Sequence, residues 1–99
     1  MQALTIRQSL PHDADSLTGL AELDSSRPLR QPALVAEVAG ELWAAVSLYD
    51  QRVVADPFRP SGAVVPVLVE RARQVRRDER RRRRTLGGGA FGFAARPAA

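Results

Sequence analysis

The stretch Val54 to Val65, VADPFRPSGAVV, holds the residues with the clearest chemical potential. Two valines run into a turn containing Pro and Gly, and apolar residues at helical spacing follow. A strand that breaks at glycine and opens a helix offers unpaired backbone amides and the positive end of the helix dipole, and both favour an anion. The turn itself is Arg59, Pro60, Ser61, Gly62, Ala63 and Val64. Pro60 removes one amide donor, and Val64 brings a branched side chain to the same turn. The simpler alternative is that Ser61 caps a helix and the turn holds no ligand.

A second chemical feature is cationic. Arg71 to Arg84 contains nine arginines and two acids. Within it Arg76, Arg77, Arg80, Arg81, Arg82, Arg83 and Arg84 are candidate nucleic-acid contacts, enough to neutralise several phosphates without sequence preference. Phe91 and Phe93, spaced among glycines, have rings that stack on bases. The alternative is a solvated charged end that keeps a small protein dispersed. No nucleophile–base pair and no metal-ligand spacing is present, so no catalytic or metal residue is assigned. The only histidine, His12, falls at a helix start, and the only tyrosine, Tyr49, in a turn. Glu37, Glu41 and Asp56 are acids that could orient an amine, or simply solvate a hairpin.

These residues need elements to position them. In ALTIRQ, Leu4 and Ile6 alternate with Thr5 and Arg7, which predicts a strand. Pro11 and the acids of HDAD suit a helix N-terminus, and Leu17 and Leu20 at helical spacing face a core. DSSRPLRQP has two prolines and no period, and reads as a loop. ALVAEVAGELWAAVSL predicts two strands joined at Ala39-Gly40-Glu41, with RVVAD as a fourth, short strand. Val65, Leu68, Ala72 and Val75 line one face of a second helix that starts between 62 and 65, since Pro66 is tolerated only in a first turn. Val35 or Val38, with Leu34, Val46, Leu17 and Leu68, are the expected core. Beyond Val75 the apolar stripe stops. Like charges at i and i+4 then oppose the helix propensity of arginine, so fraying is expected between Val75 and Thr85. The fold class is therefore α+β, a four-stranded antiparallel sheet with two main helices. The body covers 1–76, and 77–99 forms an Arg-rich helical extension and a disordered Arg/Gly-rich C-terminal tail.

Ninety-nine residues make one small domain with a modest core. There is no cysteine, which excludes disulfides and thiolate metal sites. The longest apolar run, GAVVPVLV, is too short to span a bilayer, and the first ten residues lack the apolar stretch of a signal peptide. The expected location is cytoplasmic. Every basic residue is Arg, a usage that fits a GC-rich bacterial genome. Residues 1–70 carry 5 arginines against 9 acids, a net −4, while 71–99 carry 10 against 2, a net +8.

The order of elements, with LTIRQSLPHDADSLTGLAEL, ALVAEVAGELWAAVSL and RVVADPFRPSGAVVPVLVERARQV, resembles the N-terminal half of the GNAT superfamily of N-acetyltransferases, over about residues 3 to 76. In that family the fourth strand is followed by Q/R-x-x-G-x-G/A, whose amides bind the pyrophosphate of acetyl-CoA. Arg59 and Gly62 fit this pattern, and Val64 stands where the family keeps Gly or Ala, so the resemblance implies Arg59, Ser61, Gly62 and Ala63 as the candidate acetyl-CoA-binding residues. The resemblance implies a half-length acetyltransferase-like module. Its fourth strand is an open edge, with Val53 and Val54 available to a second copy or a partner chain, and it acts through protein contacts without catalysis. One alternative is a residual acetyl-CoA binder completed by a partner or dimer. Another is nucleic-acid binding through the Arg-rich end. The tail also has the composition that a frameshifted GC-rich reading frame produces.

Overall fold

The computed structural model describes residues 3–88. The alternation at Leu4–Gln8 forms strand β1. A short 3-10 turn at Pro11–Asp13 follows, where Pro11 contributes its fixed φ. Helix α1 then spans Ala14–Leu23 and buries Leu17, Leu20 and Ala21. Strands β2 (Ala33–Val38) and β3 (Glu41–Ser47) form the hairpin, and β4 (Val53–Ala55) completes the sheet. A second 3-10 turn at Ser61–Ala63 leads into α2, Val65–Gly88. The sheet is antiparallel in the order β1-β2-β3-β4.

The hairpin turn is tighter than the sequence implied. Val38 pairs with Glu41, so only Ala39 and Gly40 lie in the turn, at φ 53° and 82°. Two left-handed residues in succession are the geometry whose twist matches the flanking strands. Glu41 is already the first residue of β3. A bulge interrupts the same pair: Ala36 faces Ala44 and Glu37 faces Leu42, leaving Trp43 as the extra residue.

The two helices cover opposite faces of the sheet. Val35, Ala45 and Val54 pack with Leu17, Leu20 and Ala21 of α1. Leu34, Ala36, Ala44 and Val46 pack with Leu68 and Ala72 of α2. The bulge puts Trp43 on the α2 side together with Ala44. Because both faces are covered, β2 is buried along almost its whole length, and Val35 and Val38 are both core residues. Leu34, Val46, Leu17 and Leu68 are buried as expected.

Helix α2 runs without a break across the arginine tract, where fraying was expected, as far as Gly88, the last residue described. The few acids of this segment are placed to support it. Asp78 pairs with Arg81 at 3.6 Å and Glu79 with Arg83 at 3.8 Å, while Glu70 reaches both Arg73 and Arg77 at 3.4 Å. Such pairs offset part of the repulsion, and arginine itself favours helix. From Arg76 onward the helix has left the core and forms an arm, and the molecule measures 55 × 27 × 19 Å. The expected boundary at 76/77 therefore falls inside one continuous helix. The expected disordered tail, with Phe91 and Phe93, lies outside the described residues. Among the described residues no helix is long and apolar enough to cross a membrane.

Candidate functional site

The turn before α2 is built around Asp56, which is buried. Its amide donates to the Trp43 carbonyl at 2.9 Å, and its Oδ1 accepts the Phe58 amide at 2.8 Å. Its own carbonyl accepts the Ser61 hydroxyl at 2.9 Å. Ser61 is therefore buried with its hydroxyl turned inward, and its amide donates to the Arg59 carbonyl at 2.7 Å. Arg59 is held by Glu41, lies 3.7 Å from Asp56 and sits 5.8 Å from the centre of the Trp43 ring. Gly62 and Ala63 are exposed. A Cβ at Gly62 would meet nothing within 4 Å, so neither packing nor backbone conformation demands glycine there. Of the four residues expected to cradle a phosphate, the two with functional side chains are engaged within the protein, and Gly62 and Ala63 face solvent.

The three acids weighed as amine partners each have an arginine beside them. Glu41 and Asp56 share Arg59, and Glu37 accepts from Arg7 Nε at 3.1 Å. Arg7 also grips Asp13 with both terminal nitrogens, at 2.8 and 3.0 Å, and Asp13 Oδ2 accepts the Leu10 amide at 2.7 Å. The Arg7 bonds first, and the Leu10 amide second, hold the Asp13 carboxyl well below the usual carboxylate range. Asp13 raises the Arg7 guanidinium in turn, with Glu37 adding to it. The network ties β1 to the start of α1. His12 stays exposed beside it.

The outer edge of β4 is partly occupied. Ser47 and Asp56 donate across to Arg52 and Trp43, which turns the Val53 and Ala55 amides outward and Val54 inward. Val54 is therefore committed to β3 and is not free for a partner. The Asp24 carboxylate accepts the Ala55 amide at 3.1 Å. The Arg52 guanidinium reaches the loop that follows α1, bonding the Ser26 hydroxyl and the carbonyls of Arg27 and Pro28.

The arginine arm brings together what the sequence expected and two residues it did not. Arg76, Arg77, Arg80, Arg81, Arg82, Arg83 and Arg84 all lie on exposed helix or at its junction with the body. Among the described residues, Arg76, Arg80, Arg82 and Arg84 have no carboxylate within 4.0 Å. Where the arm leaves the sheet, Arg76, Arg80 and Arg83 line a groove of about 360 Å³ against Leu48 and Tyr49 of the β3–β4 turn, with Glu79 beside them. Tyr49 is 59% exposed, and the Arg30 guanidinium lies 3.8 Å from its ring centre. Tyr49 and Arg30 were missed because nothing local marks them. They meet only when the loop before β2 and the turn after β3 close at one end of the sheet. The Ser47 hydroxyl fixes that meeting, since it donates to the Arg30 carbonyl at 2.9 Å and accepts the Tyr49 amide at 3.0 Å. Scans of protein-family models, of curated proteins and of solved structures find no match to this chain.

Proposed function

We propose that this chain is a non-catalytic binding module, a half-length acetyltransferase-like body whose α2 arm binds nucleic acid. The order strand, helix, hairpin, strand, helix supports the likeness of the body. The observation that carries the binding reading is the arm itself. Seven arginines against Asp78 and Glu79 project on continuous exposed helix, and four of the seven lack a carboxylate partner among the described residues. Charge of this density gains free energy by releasing the counterions condensed on a phosphate backbone. The turn at 59–63 supports acetyl-CoA less well, because Arg59 and Ser61 are engaged internally. A protein partner or second copy on β4 is likewise restricted by Asp24 on the Ala55 amide.

The test is fluorescence anisotropy with a labelled duplex and a labelled single strand over a salt series. The unaltered chain is expected to bind both, with log K falling linearly against log salt. A full chain with the seven arginines of 76–84 changed to Gln is expected to lose most of that affinity, and its slope should fall by about 0.9 for each duplex phosphate that is no longer neutralised. Equal binding by the two chains would overturn the reading. Saturable heat on titrating acetyl-CoA, abolished in Gly62→Pro, would give the turn a ligand instead.

A further inference from the structure

We propose that the groove between the β3–β4 turn and the base of the arm is a single-strand site, in which Tyr49 stacks a nucleobase and Arg30, Arg76, Arg80 and Arg83 hold the flanking phosphates. This rests on the nucleic-acid reading and narrows it to one substrate class and one place. Three independent segments converge there: the loop before β2, the β3–β4 turn and the last turn of α2 in contact with the body. The Tyr49 ring is more than half exposed, and it stands in a groove whose other wall carries Arg76, Arg80 and Arg83. Arg30 covers one face of the ring at 3.8 Å, so a base stacks on the opposite face and the guanidinium charge stays beside its phosphates.

The charges suit a strand with its bases splayed out. Arg76, Arg80 and Arg83 follow one another at i, i+4 and i+7, so their stems lie on one helix face over about 10 Å of axis. Arg76 and Arg80 have no carboxylate within 4.0 Å among the described residues. Two acids stand nearby. Glu79 is paired with Arg83, and Asp50 faces the turn, where it accepts the Arg52 amide. Four arginines against these two leave the groove positive. Duplex bases are stacked on one another and offer no free face to Tyr49, whereas a single strand does. The groove therefore favours single strands where the outer arm does not.

The experiment compares four labelled polymers of equal length on the full chain: oligo(dT), oligo(rU), an abasic oligodeoxynucleotide and duplex DNA. The variants are Tyr49→Ala, Tyr49→Phe and the double change Arg76→Gln with Arg80→Gln. Tyr49→Ala is expected to weaken base-bearing single strands about tenfold or more. It should leave the abasic strand and the duplex within twofold, and Tyr49→Phe should retain single-strand binding. The double arginine change is expected to weaken every polymer and to lower the single-strand salt slope by about 0.7 for each phosphate that is no longer neutralised. The tighter of oligo(dT) and oligo(rU) identifies the natural source of the strand. Unchanged single-strand affinity in Tyr49→Ala, or equal affinity for abasic and base-bearing strands, overturns the stacking site while the arm's binding of polyanions stands. No binding of any of the four polymers at low salt overturns both readings. Circular dichroism of each variant is expected to match the unaltered chain, since the Tyr49 ring is exposed and its backbone bond to Ser47 does not depend on the ring.

Discussion

Asp13 shows how one side chain can hold two elements. It is buried, takes both terminal nitrogens of Arg7 and accepts the Leu10 amide, so β1 and the start of α1 are joined through one carboxylate. Removing its charge in Asp13→Asn leaves Arg7 with Glu37 as its one carboxylate and weakens bonds to a charged group, at a cost of about 1–3 kcal/mol. The pH dependence follows from the direction of its shift. A carboxyl held below its ordinary value contributes fully above the unfolded value of about 3.9 and loses that contribution as pH falls through the folded value. Urea unfolding of the two proteins should therefore differ by a constant amount from pH 7 to 5. The gap should narrow below about pH 4, where the unfolded carboxyl takes up its proton. A gap that stayed constant to pH 2 would show that the Arg7 bonds contribute nothing.

At the scale of the element, α2 sets a balance between repulsion and local pairing. Asp78 and Glu79 are the only acids among the last thirteen residues of the helix, and each has an arginine one turn on. Changing them together, Asp78→Asn with Glu79→Gln, removes two pairs worth about 0.2–0.5 kcal/mol each and adds two net charges to the arm. Ellipticity at 222 nm is expected to fall at low ionic strength and to recover on adding phosphate. Unaltered ellipticity would mean that propensity alone holds the arm. Fraying was expected from the like charges at i and i+4, but the opposite-charge pairs Glu70 with Arg73, Asp78 with Arg81 and Glu79 with Arg83 stand at equivalent spacings and offset part of that repulsion. The strands were legible. Leu34 and Ala36 alternate with Val35 and Glu37, and a period of two is a property of the chain alone. The bulge at Trp43 broke that period without any glycine to announce it. In the turn before α2, the sequence located Ser61 at a helix start but could not show that its hydroxyl closes onto Asp56. Tyr49, Arg30 and the arm are brought together by tertiary closure, and no window of residues contains all three.

For the whole molecule, the arginine surplus is concentrated at one end, in the arm. The carboxylates of Asp15 and Glu22 lie on α1, which covers one face, while the arm extends the helix that covers the other. Along the axis, Arg84 stands about 14 Å past Val75, where the apolar stripe ends. At physiological salt a charge is felt over about 8 Å, so the tip of the arm is electrically independent of the acids on α1. A net-charge figure for the whole chain then says nothing about how it approaches a polyanion. At 0.15 M salt, Asp15→Asn with Glu22→Gln should leave the association rate with duplex DNA within twofold. Near 0.01 M, where the reach of a charge grows to about 30 Å, the same variant should associate faster than the unaltered chain, because repulsion from the body then counts. The rigid helix thus works as a standoff, and salt concentration decides whether an approaching phosphate chain meets a cationic rod or a weakly charged particle with opposed ends.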